Sequence, residues 1–178
     1  MPQRALEDGG AVVVAQTATG VRLRAATAAD IDVLVQLINA AYDSTEHDVF
    51  PGTRRAERHD ISAYIDGMVI AEVEGVVAGC IHVDVSGDPA HFGPLAVDVS
   101  RHKTGLGALL VEHAETVARD AGATTIRLET VRQAGLIPFY ERRGYRLIGE
   151  TDGQVWNGGA DWGAAVPWQM VDLEKALR

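Results

Sequence analysis

The chain has 178 residues, 47% of them hydrophobic and 23% charged, with a formal net charge of −9. That length suits one domain with a sizeable core, and the acidic balance argues against a nucleic-acid partner. No apolar run approaches the ~20 residues of a membrane span, and the lone Cys80 rules out an internal disulfide framework and fits a reducing compartment, the cytoplasm.

Residues 1–20 read as an N-terminal extension ahead of a single domain over 21–178. Within the extension, Ala11–Ala15 fits either a strand paired with Val21–Arg24 across Thr17–Gly20 or an unstructured tail. Thr27 or Asp30 caps a helix whose apolar residues Ile31, Leu34, Val35, Ile38 and Ala41 keep helical spacing to Tyr42. Asp43–Thr53 reads as a polar loop broken by Pro51-Gly52, followed by a short helix over Arg55–Ile65. Met68–Glu74 and Val76–Val85 form a hairpin, and Gly87-Asp88-Pro89 turns the chain into the next strand.

The most informative stretch is His91–Gly122. Leu95, Val97 and Val99 alternate with Ala96 and Asp98, which is strand period. Leu106, Leu109, Leu110, Ala114, Val117 and Ala121 then recur at helical spacing, up to a terminating Gly122. Between strand and helix lies His102-Lys103-Thr104-Gly105-Leu106-Gly107. Its glycines let backbone approach a ligand closely, and the first helical amides lack internal partners, so this is an anion site. A P-loop needs Lys-Ser or Lys-Thr after the second glycine, where Ala108-Leu109 stand. A Rossmann turn needs a small residue where Leu110 stands.

Thr125–Val131 reads as a strand, Gly135–Arg143 as a helix and Tyr145–Thr151 as a strand. A glycine-rich segment, Gln154–Val166, precedes a last strand over Val166–Leu173. Trp156, Trp162 and Trp168 fall in or beside that segment, offering either cation–π surfaces to an amine or packing and homodimer contacts. The element order predicts an α/β (α+β) fold: a mixed, mostly antiparallel sheet flanked by helices, with a central parallel β-α-β unit.

The loop from His102 to Gly107 and the segment Gln133–Tyr145 together resemble the GNAT superfamily of N-acetyltransferases. In that family Gln/Arg-x-x-Gly-x-Gly/Ala holds the pyrophosphate of acetyl-coenzyme A. Gly105 and Gly107 match, and His102 stands in the first position. The second segment resembles Asn-x-x-Ala-x-x-Leu-Tyr-Glu-x-x-Gly-Phe, with Gln133 for Asn and Leu136 for Ala. The resemblance implies a GNAT-like fold and acetyl-CoA as co-substrate, without a metal. It also implies an amine acceptor, either a small molecule or a protein. It places the coenzyme on the backbone of Leu95, Ala96 and Val97 and on His102, Lys103, Thr104, Gly105, Leu106, Gly107 and Ala108, with Gln133 and Tyr140 beside it. Tyr140 takes the place of the general acid that protonates the departing thiolate.

Counting back by the family's spacing from His102 reaches His91 as the base, with His82, Asp84, Glu72 and Glu129 as other inward candidates. A base is needed because a lysine-like amine, pKa ~10.4, costs about 4 kcal/mol to neutralise at neutral pH. A silent GNAT module that binds an acyl-coenzyme and regulates a partner is the alternative reading.

Overall fold

The computed structural model describes residues 13–16 and 20–177. Among the described residues, eight strands form one sheet. They are β1 (Val13–Gln16), β2 (Val21–Ala25), β3 (Met68–Val73), β4 (Val76–Asp84), β5 (Ala90–Val97), β6 (Thr125–Val131), β7 (Arg146–Asp152) and β8 (Gln169–Ala176). Their spatial order is β1-β2-β3-β4-β5-β6-β8-β7. Every pairing is antiparallel except that of β5 with β6. The mixed, mostly antiparallel sheet with one parallel β-α-β unit is therefore the architecture that the element order predicts. β1 pairs with β2, while residues 1–12 and the Thr17–Thr19 part of the expected turn lie outside the described residues.

Among the described residues, five α-helices accompany the sheet: α1 (Ile31–Glu46), α2 (Arg58–Ala63), α3 (Leu106–Asp120), α4 (Ile137–Glu141) and α5 (Gly153–Trp156). One face of the sheet packs on α1 and α2 through Met68, Ile70, Cys80 and Ala96 against Leu34, Ile38 and Ile61. The other packs on α3 and α4 through Leu23, Ile81, Phe92, Ile126 and Leu173 against Leu110, Ala114 and Tyr140. Cys80 is wholly buried, and burial pushes its thiol up to about 12, so it is a packed, unreactive group.

Several expected boundaries shift. α1 continues one turn past Tyr42 to Glu46, because Thr45 and Glu46 prolong the inward stripe at helical spacing. β5 stops at Val97. Val99 falls in a 3₁₀ turn and is 49% exposed, and Ala96, not Leu95 or Val97, is its most buried late residue, because helices cover both faces. The second helix covers only Arg58–Ala63, and α4 is a single turn begun at Ile137-Pro138. The last strand does not take the edge. β8 inserts between β6 and β7 and leaves β7 outermost.

Candidate active site

The parallel pair holds together only at its start. Ala90 pairs with Ile126 and His91 with Arg127, and no later rung follows. Beyond that point β5 and β6 diverge. On its other side β5 carries an irregularity: Phe92 faces Val83 and Leu95 faces Ile81, so Gly93-Pro94 bulge opposite His82. Pro94 has no N–H to offer a ladder, which suits an interrupted strand. The divergence opens a cleft of about 1050 Å³. Its walls come from Leu95 and Val97 of β5, Leu128–Val131 of β6, Tyr140 of α4, the Arg101–Ala108 turn and the last turns of α1.

At one end of the cleft is the glycine turn. Asp98 accepts a hydrogen bond from Ser100 N (2.8 Å), and Thr104 Oγ1 donates to Arg101 O (2.7 Å). Lys103 and Gly105 have φ of 63° and 92°, the left-handed conformation in which a glycine is cheapest. The first amide to bond back within α3 is Leu109 N, onto Gly105 O at 3.0 Å. The amides of Leu106, Gly107 and Ala108 therefore face the cleft end without intrahelical acceptors. A Cβ on Gly107 would sit 3.5 Å from Phe139 Cζ and 3.7 Å from Val97 Cγ2, so the bare position keeps the gap between those walls open. His102 turns inward on its own loop, where Nε2 lies 3.1 Å from Val97 O and must carry the proton to donate to that carbonyl.

Midway along the cleft, Tyr140 is 4% exposed, and its ring meets Phe92, Phe139 and Tyr145 edge-on or tilted. Burial, and then the neighbouring Tyr42, push its phenol well above the ordinary range, with Arg143 opposing. Tyr42 is likewise held protonated, chiefly by burial, and the Leu95 backbone N–H is directed at its oxygen. The two phenols thus converge on the bulged part of β5.

Of the residues singled out in the sequence, His91, Leu95, Val97, His102, Lys103, Gly105, Gly107, Ala108 and Tyr140 all line the cleft. Ala96 points into the α1 side of the core, and Leu106 into the α3 side. Thr104 is exposed and braces the turn. Gln133 is engaged elsewhere, donating to Pro167 O (3.2 Å) and accepting from Gln169 N (3.3 Å). His91 is exposed at the cleft mouth. Of the other base candidates, Glu129 lines the cleft and accepts from Trp156 Nε1 (3.2 Å). Glu72 is bound to Arg24 (2.6 Å), and Asp84 is exposed and holds Ser86 N. His82 lies outside the lining, half-buried against Tyr64, and burial lowers its pKa.

Tyr42, Glu46 and Arg55, none of them individually evident from the sequence, form the other end of the cleft, in the loop and flanking helices where the family resemblance implies an acceptor pocket. Ile38, Ala41, Tyr42, Thr45 and Glu46 are one continuous stripe at helical spacing. The polar termination of that stripe, at core-facing positions, was the available signal. Glu46 is 4% exposed, and its carboxyl is pushed up by burial, with Arg55 opposing. Among the described residues, no cluster of His, Cys, Asp or Glu is placed to hold a metal ion, and no helix is long and apolar enough to cross a membrane.

The family model of the acetyltransferase (GNAT) family matches residues 32–145, and the chain belongs to that family. Solved structures share the fold at low identity. N-acetylglutamate synthase from Neisseria gonorrhoeae, complexed with coenzyme A and N-acetyl-glutamate, is 18% identical with a TM-score of 0.68. That match covers 89% of this chain but only 35% of the synthase. The yncA protein of Salmonella typhimurium, solved with acetyl-CoA, is 18% identical with a TM-score of 0.67, covering 89% of this chain and 94% of its own. Ribosomal-protein-alanine N-acetyltransferase from Brucella melitensis is 19% identical with a TM-score of 0.66, covering 87% and 99%. No curated protein matches the sequence.

Proposed function

We propose that this chain is an acetyl-CoA-dependent N-acetyltransferase, acting in the cytoplasm on a primary amine of a small molecule or protein. Residues 21–178 are the catalytic domain and 1–20 an extension of it. The observation that carries this reading is the divergence of β5 from β6 directly beside the unpaired amides of α3, with a buried, protonated Tyr140 between them.

The residues divide the work along the cleft. Amides from Lys103 to Ala108 receive the pyrophosphate, helped by the positive end of α3 and by Arg101 and Lys103. The open edge of β5 at Leu95–Val97 runs alongside the amide-bearing arm of the coenzyme. The acceptor amine attacks the thioester carbonyl, a C–N bond forms and the C–S bond breaks. His91, directly or through water, takes the ammonium proton, and Tyr140 gives its proton to the departing sulfur. Desolvation raises the thiolate's basicity as it raises Tyr140's, which keeps donor and acceptor matched in the dry part of the cleft.

The test is coenzyme A release from acetyl-CoA across a panel of primary amines, beside thermal shifts with the coenzyme alone. Stabilisation by acetyl-CoA with amine-dependent release is expected. Stabilisation with no release under any amine marks a binding module, and no stabilisation overturns the reading.

A further inference from the structure

The acceptor end of the cleft contains a guanidinium fixed on every side but one. Arg55 places its central carbon 4.9 Å from the ring of Phe50, 5.2 Å from Trp162 and 5.5 Å from Tyr42. Its Nη2 lies 3.1 Å from Glu46 Oε2, and the two side chains are 14% and 5% exposed. That contact is off the hydrogen-bond axis, since the same buried Oε2 accepts no hydrogen bond. Its backbone is pinned as well, because Asn39 Oδ1 accepts from both Arg55 N (2.6 Å) and Ala56 N (3.1 Å). Among the described residues Glu46 is the one ion-pair partner of the guanidinium, so its other N–H donors remain for a ligand at the cavity wall. Arg54 lines the same end, exposed and without an ion pair among the described residues. Adjacent arginines thus stand at the end of the cleft away from the phosphate turn.

Carboxylates also line the cleft. Glu129 gives one oxygen to Trp156 Nε1 (3.2 Å), and Asp161 gives one to Gly163 N (2.8 Å). The segment carrying Trp162 is tied to the chain after α1 by Ala165 N to Val49 O (2.7 Å) and Thr53 Oγ1 to Trp162 O (3.2 Å). This bridge joins two segments that line the acceptor end.

Building on the transferase reading, we infer that the acceptor is a small zwitterion: a primary amine on a molecule that also carries a carboxylate. Arg55 and Arg54 hold the carboxylate, in the planar two-donor geometry that arginine supplies and lysine does not. Arg55 is a specificity-determining residue, and Glu46 with the three rings positions it.

The experiment uses matched pairs: phenylalanine with phenethylamine, leucine with isoamylamine, and methionine with 3-methylthiopropylamine, plus a peptide with a free amino terminus. Acetylation kcat/KM is measured for wild type, Arg54→Gln and Arg55→Lys, the last keeping a cation beside Glu46. Binding of the N-acetylated members to the coenzyme A-loaded protein is read by calorimetry. Wild type should favour the carboxylated member of at least one pair by about tenfold or more, the scale of one charge-assisted contact. Both variants should shrink that ratio. Carboxylate-dependent binding of the N-acetylated compounds without turnover would retain the anion site and remove the transferase reading. Equal use of both members, preference for the peptide, or no carboxylate-dependent binding or turnover overturns the zwitterion.

Discussion

Tyr140 is buried and held protonated, and it lines the cleft where β5 bulges. Tyr140→Phe removes one hydroxyl and keeps the ring contacts with Phe92, Phe139 and Tyr145. Single-turnover acetyl transfer should fall by ~10²–10⁴ with coenzyme affinity nearly intact, because a lost general acid acts in the transition state. Since the phenol's pKa lies above its ordinary value, the wild-type-to-variant ratio should stay flat from neutral to mildly alkaline pH. Equal rates would make Tyr140 a packing residue.

A second residue-scale prediction concerns stability. Arg24 holds Asp30 by two hydrogen bonds (2.7 and 2.8 Å), and that bonding lowers the carboxyl from 3.8 to about 2. The folded pKa is below the unfolded one, so the stabilisation is present above about pH 4 and is lost as pH falls through 2. Its size is about 2 kcal/mol. Acid titrations of wild type and Asp30→Asn should converge across that window.

Regular elements were legible where one period ruled alone. β6 matches its expected bounds at both ends, and the hairpin of β3 and β4 turns at Glu74-Gly75 as its sequence reads. α1 was read short because Thr45 and Glu46 are polar, although they sit on the inward stripe. Their polarity serves the cleft rather than solvent. The placement of β8 inside β7 depends on partners distant in sequence, which no local period encodes. In the same way, the glycine turn was visible as a motif, whereas the Arg55 cage joins α1, the loop after it and a segment more than a hundred residues later.

At the level of the α3 element, Gly107→Ala should be tolerated, its methyl meeting Phe139 and Val97 at ordinary contact distance. Gly107→Val should weaken acetyl-CoA binding by about tenfold or more, the equivalent of ~1.4 kcal/mol, with the fold retained. Calorimetric titration of both variants tests this, and unchanged affinity in folded Gly107→Val would move the phosphate site elsewhere.

For the molecule as a whole, the cleft lies between two layers of core and is lined by strands, helices and loops from most of the chain. Filling it should therefore stabilise the whole fold. Acetyl-CoA at a hundred times its dissociation constant should add about 2.7 kcal/mol, seen as a raised Tm, and NAD much less. A larger shift with NAD would contradict the coenzyme assignment.

The early end of the β5–β6 pairing has a further consequence. A sheet that separates along an internal seam owns four lateral edges instead of two, and unpaired strand edges invite pairing with other chains. The outer edge at β7 meets solvent with Leu147 and Ile148 exposed, but the inner edges flank the cleft. Those amides of β5 beyond His91 that do not bond β4 should therefore gain protection from hydrogen exchange when the coenzyme is bound. On the proposed reading, the seam is a sheet edge that a ligand completes.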